Sequence, residues 1–113
     1  MMDQSLKLPI AEMEKKAAEA AALLKALSNE NRLLILCHLV SEGELSVGAM
    51  VERVGLSQSA LSQHLAKLRE EGLVTYRRES QTLVYRICDP RAGQVLELLR
   101  DIFCPELAGG TVT

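Results

Sequence analysis

Ser46-Val47-Gly48-Ala49-Met50-Val51-Glu52-Arg53-Val54-Gly55-Leu56-Ser57-Gln58-Ser59-Ala60-Leu61-Ser62-Gln63-His64-Leu65-Ala66-Lys67-Leu68 is the stretch on which the fold turns. Ser46 can cap a short helix carrying Val47, Met50, Val51 and Val54, and Gly55 stops it by taking the left-handed conformation favoured just past a helix end. After Leu56, Ser57 can cap a second helix, which shows Leu61, Leu65 and Leu68 on one face and runs to Gly72. The result is helix, tight glycine-containing turn, helix. The other face of the second helix is polar: Gln58, Ser59, Ser62, Gln63, His64 and Lys67.

Downstream, the β-prone segments Leu73 to Arg78 and Thr82 to Ile87 enclose Glu79, Ser80 and Gln81 and should pair as a hairpin. Asp89-Pro90 then offers an N-cap and an N1 proline to a last helix bearing Val95, Leu98, Leu99, Ile102 and Phe103, halted by Pro105. Upstream, Leu33, Leu36, Cys37 and Val40, widened by Leu34 and Ile35, predict a central helix closed by Gly43. Before it, Met13, Ala17, Ala21, Leu24 and Leu27 form the stripe of an amphipathic first helix, with Glu12, Lys15, Lys16 and Glu19 turned outward. The expected order is ααααββα, a mainly α (α+β) fold. One domain spans residues 12–104, between an N-terminal tail, 1–11, and a flexible C-terminal tail, 105–113.

Length agrees with one domain: 113 residues leave no room for a second core. Apolar residues at 48% and charged ones at 25% are ordinary for a globular chain. Aromatics at 3% set aside base-stacking platforms of the single-strand-binding kind. No apolar run approaches the roughly 20 residues of a membrane helix, and no basic and then apolar leader opens the chain. The expectation is a cytoplasmic protein without a membrane partner, where the three cysteines stay reduced rather than forming a structural framework.

The net charge of −2 argues weakly against nucleic acid, because phosphate binding runs on clustered positive charge. Its distribution argues the other way. Between Ser57 and Arg86 stand five bases (Lys67, Arg69, Arg77, Arg78, Arg86) against three acids (Glu70, Glu71, Glu79), a local +2, and the remaining residues carry −4. A helix-turn-helix lays its second helix in the major groove of double-stranded DNA, where glutamine can pair bidentately with adenine and lysine can take phosphate or guanine. Polar faces of this kind also occur on any solvated helix. The hairpin adds specificity: Arg77 and Arg78, beside a turn holding Gln81, could meet the phosphate backbone and fix position without reading sequence.

Three segments in order now carry a resemblance. Leu27-Ser28-Asn29-Glu30-Asn31-Arg32-Leu33-Leu34-Ile35-Leu36, then Glu44-Leu45-Ser46-Val47-Gly48, then Leu56 to Leu65 with Leu73-Val74, resemble the ArsR/SmtB family of dimeric winged-helix repressors over residues 12–104. The resemblance implies a homodimer built on the first and last helices, a recognition helix at 57–71, a wing at 73–87, an inverted-repeat operator and an inducer that relieves repression. Apolar stripes on the first and last helices, larger than one small core requires, agree with a dimer.

The inducer is where this chain departs from the family's metal sensors. Those carry Cys-x-Cys where this sequence has Ser46-Val47-Gly48, and neither serine nor glycine replaces a thiolate ligand. A second metal pattern needs histidine on the last helix, and Pro90 to Phe103 has none. Leu36-Cys37 and Phe103-Cys104 instead resemble the family's persulfide and redox-sensing branch, which implies that Cys37 and Cys104 are sensing thiols. Joined by a disulfide or polysulfide after meeting a sulfur-donor oxidant such as a persulfide, they would release DNA. Cys37 alone reads equally as a small buried hydrophobe, and Cys88 reads as structural. Two alternatives stand beside this reading: a metal-responsive repressor using Cys37, Cys104 and a histidine, and a thiol enzyme or sulfur carrier. No cysteine has the context that activates a catalytic thiol, and no cofactor is expected.

Overall fold

The computed structural model describes residues 7–106. Five helices and three strands follow in the order α1 (Ile10–Leu27), α2 (Glu30–Glu42), β1 (Leu45–Ser46), α3 (Val47–Val54), α4 (Gln58–Glu70), β2 (Val74–Glu79), β3 (Thr82–Ile87) and α5 (Pro90–Phe103). The expected tails meet this frame only in part. α1 begins two residues ahead of 12, Pro105 and Glu106 continue as a 3-10 turn, and residues 1–6 and 107–113 lie outside the described residues.

Strand β1 is the element missing from the expected ααααββα order. Its two residues are too short for any alternation to register in sequence, yet they pair antiparallel with β3, Leu45 opposite Tyr85 and Ser46 opposite Val84. The sheet order is β1-β3-β2. The hairpin turn is tighter than the sequence suggested. Glu79 pairs with Thr82, so Glu79 belongs to the ladder and only Ser80 and Gln81 make the turn, with Ser80 at φ 58°.

Helix punctuation follows the local chemistry. The Ser46 hydroxyl accepts from the Ala49 N–H and the Ser57 hydroxyl from the Ala60 N–H, each at 3.1 Å. Gly55 ends α3 in the left-handed conformation, φ 80° and ψ 21°. The Asp89 carboxylate accepts from the Arg91 N–H at 2.9 Å, with Pro90 in the first turn of α5. At α2 the cap is Asn29, whose side chain accepts from the Arg32 N–H.

The core gathers where α2, α3, α4 and the sheet meet: Ile35, Leu36, Leu39, Met50, Leu61, Leu65, Leu68, Leu73, Val74 and Tyr85 are buried. From the outer helices it takes Ala26 and Leu27 of α1, and Ala92 and Leu96 of α5. Most of the apolar stripe expected on α1 and α5 lies elsewhere: Met13, Leu24, Leu98, Ile102 and Phe103 are exposed, as are Leu34 and Val40 of α2. Periodicity locates an apolar row without saying whether that row meets the chain's own core, and small residues such as Ala92 can serve the core while larger ones face out. Among the described residues no helix is long and apolar enough to cross a membrane.

Candidate functional site

Helix α4 presents two polar rows. With 3.6 residues per turn, Ser59, Gln63 and Lys67 lie opposite the buried Leu61, Leu65 and Leu68 and form the outermost row. Gln58 and Ser62 lie on the edge turned toward the hairpin, where they share a groove with Gln81, Thr82, Leu83 and Tyr85 and with Val47 and Gly48 of α3. Helix and hairpin therefore line one concave surface. His64 is half-buried on the opposite edge, and Lys67 makes an exposed ion pair with Glu70 at 3.9 Å.

The hairpin divides the two arginines that sequence had joined. Successive residues of a strand point to opposite faces. Arg78 pairs with Leu83 and stands on the face of Tyr76 and Tyr85, toward α4. It has no ion-pair partner among the described residues. Arg77 pairs with Val84 on the other face, and its guanidinium reaches Glu44 at 3.2 Å and Glu79 at 2.9 Å. Glu44 precedes β1, so Arg77 ties the hairpin to the start of the sheet. Sequence reasoning missed Thr82 as a groove residue and the Glu44 tether, for which no local signal exists. It counted Arg69 only as a charge, although Arg69 follows Gln58 and Ser62 by eleven and seven residues on the same edge.

The cysteines occupy three settings. All are free thiols. Cys37 is exposed on α2, which corrects its reading as a small buried hydrophobe. It lines a groove with Val40 and Ser41 of α2 and Leu96, Glu97 and Arg100 of α5. Partial burial still pushes the Cys37 thiol up from its ordinary range, because desolvation disfavours the thiolate. Cys104 is half-buried at the C-cap of α5, one turn past Arg100, and its N–H donates to the Arg100 carbonyl at 2.7 Å. The groove thus joins the helices that carry the two expected sensing thiols. Cys88 sits at the base of the hairpin, its thiol donating to the Gly72 carbonyl at 3.4 Å. Among the described residues no three histidine, cysteine, aspartate or glutamate side chains gather where they could hold a metal ion, so the alternative built on Cys37, Cys104 and a histidine has no assembled ligand set.

Comparison with known proteins decides the family. The family described as "Bacterial regulatory protein, arsR family" matches residues 29–76. The transcriptional activator HlyU of Vibrio cholerae is 53% identical over 93 residues, covering 82% of this chain and 85% of that one. The chain belongs to the ArsR family. The solved structure of the transcriptional repressor BigR from Xylella fastidiosa superposes on this ArsR-family chain with a TM-score of 0.82 at 44% identity, over 86% of this chain and 98% of that one. A structure of reduced HlyU from Vibrio cholerae gives a TM-score of 0.76 at 53% identity, over 82% of this chain and 97% of that one. The fold is the winged helix of the family, with α3 and α4 as its helix-turn-helix and β2-β3 as its hairpin. The protein is a DNA-binding transcriptional regulator and not an enzyme.

Proposed function

We propose that this chain is a cytoplasmic, homodimeric repressor that binds an inverted-repeat operator and lets go when Cys37 and Cys104 are bridged. One observation carries the switch: Cys37 lines the groove between α2 and α5, and Cys104 closes α5 one turn beyond Arg100 of that groove. A bridge between them staples the two helices. Because α5 belongs to the exposed apolar surface on which a second copy would sit, stapling it rotates the recognition helices out of spacing with successive major grooves. That HlyU has been described in a reduced form supports a redox variable in this part of the family.

The chemistry balances with an organic persulfide as oxidant. One cysteine thiolate attacks the outer sulfur and expels the donor's thiol, leaving a cysteine persulfide. The second thiolate attacks its inner sulfur and expels hydrogen sulfide. The two thiols lose two electrons, and the donor's sulfane sulfur gains them. A second equivalent of the persulfide donor converts the other cysteine to its persulfide as well. The terminal sulfur of one then attacks the inner sulfur of the other and expels hydrogen sulfide, giving a trisulfide bridge, favoured where the Cα atoms lie farther apart than the about 7 Å a direct disulfide spans.

On the DNA side, Ser59, Gln63 and Lys67 face the major groove, Gln58 and Ser62 line its edge beside Gln81, and Arg78 takes phosphate from the wing. Arg77 supports it through Glu44, and His64 sits at the margin. The test is a gel shift on the promoter upstream of the chain's own gene, reduced against polysulfide-treated, with intact-mass and peptide mapping. Cys37→Ser and Cys104→Ser should each bind DNA and no longer release it, while Cys88→Ser responds as the parent does. Full response in either of the first two, or its loss in Cys88→Ser, overturns the pair.

A further inference from the structure

The wing and the recognition helix meet through a stack that the DNA contacts do not use. The Arg69 guanidinium carbon lies 4.6 Å from the centre of the Tyr76 ring, and Tyr76 packs on Tyr85 with ring centres 5.2 Å apart and planes tilted by 53°. Arg69 is on the last turn of α4, Tyr76 in β2 and Tyr85 in β3, so the stack runs from helix to both strands of the hairpin. Tyr85 is buried and faces Leu45 of β1, which anchors the far end in the core. These are the only two tyrosines of the chain. Arg69 has no carboxylate partner among the described residues, although Glu70 and Glu71 follow it directly.

We propose that Arg69 is a positioning residue for DNA recognition: stacked on Tyr76, it fixes the angle between the recognition helix and the wing. A hairpin joined to the core mainly at its base can swing at its tip, and a cation from α4 held over an aromatic face of β2 resists that swing. Because Gln58, Ser62 and Arg69 share one edge of α4, the same edge that forms the groove with Gln81 and Thr82 is pinned at its other end. With the angle fixed, base contacts by α4 and the phosphate contact by Arg78 form together, and the ordering cost of the wing is met before DNA arrives.

The experiment separates positioning from a direct phosphate contact. Operator affinity and its salt dependence are measured for the reduced full-length chain and for Arg69→Met, Tyr76→Leu, Tyr76→Phe and the Arg69→Met/Tyr76→Leu double variant. Hydrogen exchange of the wing amides is followed in each free protein. An exposed cation–π contact is expected to change affinity by about two- to five-fold per wing. Arg69→Met and Tyr76→Leu should lose affinity alike, the double variant should lose no more than either alone, and Tyr76→Phe should bind as the parent does. Wing amides should exchange faster in Arg69→Met and in Tyr76→Leu, with the salt slope unchanged. A slope reduced by about one unit per wing in Arg69→Met, with Tyr76→Leu binding as the parent does, would make Arg69 a phosphate ligand and overturn the proposal. Parent-like affinity and exchange in both Arg69→Met and Tyr76→Leu would overturn it as well.

Discussion

At the scale of residues, Arg77 and Arg78 differ more than their adjacency suggests. A guanidinium held by Glu44 and Glu79 must give up both carboxylates to take a phosphate, whereas Arg78 gives up only water. Arg78→Ala should therefore lower the salt slope of operator binding by about one unit per wing, and Arg77→Ala by clearly less. Salt titrations over one operator check this, and equal slopes for both variants would refute the division. Gln63→Ala, on the outermost row of α4, should instead relax preference at one base position, by roughly 1 to 3 kcal/mol, with the salt slope unchanged. The polar rows of α4 were legible in the sequence because residues at helical spacing share a face. The division of Arg77 from Arg78 was not, because the face of a hairpin residue depends on register, and Glu44 lies 33 positions away from Arg77.

Among elements, α3, α4 and α5 declared themselves through their caps. Ser46, Ser57 and Asp89 each act on an N–H within three residues, so the sequence holds both partners in one window. β1 had no such signal, since its two residues become a strand only by pairing with Tyr85 and Val84. Asp89 lends itself to measurement. Hydrogen bonding from the Arg91 side chain, more than the charge itself, holds the Asp89 carboxyl below its ordinary range. A carboxyl whose folded value lies below its unfolded one stabilises the protein above the unfolded value and loses that contribution as pH falls through the folded value. Asp89→Ala should thus cost about 1 kcal/mol at neutral pH, as a lost helix cap does. The gap between variant and parent in urea unfolding should close below about pH 4. A gap that widened on acidification would contradict this sign.

At the scale of the whole molecule, the apolar surface left outside the core is the feature to be explained. Leu24 is 59% exposed, Leu98 and Ile102 57% each, and Phe103 75%. They sit on α1 and α5, and nearby residues of the same helices, Ala26, Leu27, Ala92 and Leu96, already serve the protomer core. An isolated protomer gains nothing from large apolar side chains there. A two-fold partner changes the account, because each half-exposed Leu or Ile it covers returns roughly 1 kcal/mol and symmetry counts every residue twice. Under the proposed dimer, covering this surface would also set two recognition helices at a fixed spacing, and a chain of net charge −2 would hold DNA through two modest basic patches rather than one. The paired substitution Leu98→Glu/Ile102→Glu isolates the effect. Both side chains lie outside the protomer core, so the variant should keep the parent's helical circular dichroism. In sedimentation at micromolar concentration it should run as a monomer where the parent runs as a dimer, and its operator affinity should fall by at least a hundred-fold, since about 2.7 kcal/mol or more is lost when one half-site must bind alone. A parent that sediments only as a monomer, or a monomeric variant that still binds the operator as the parent does, would remove the dimer from the explanation of how this protein finds DNA.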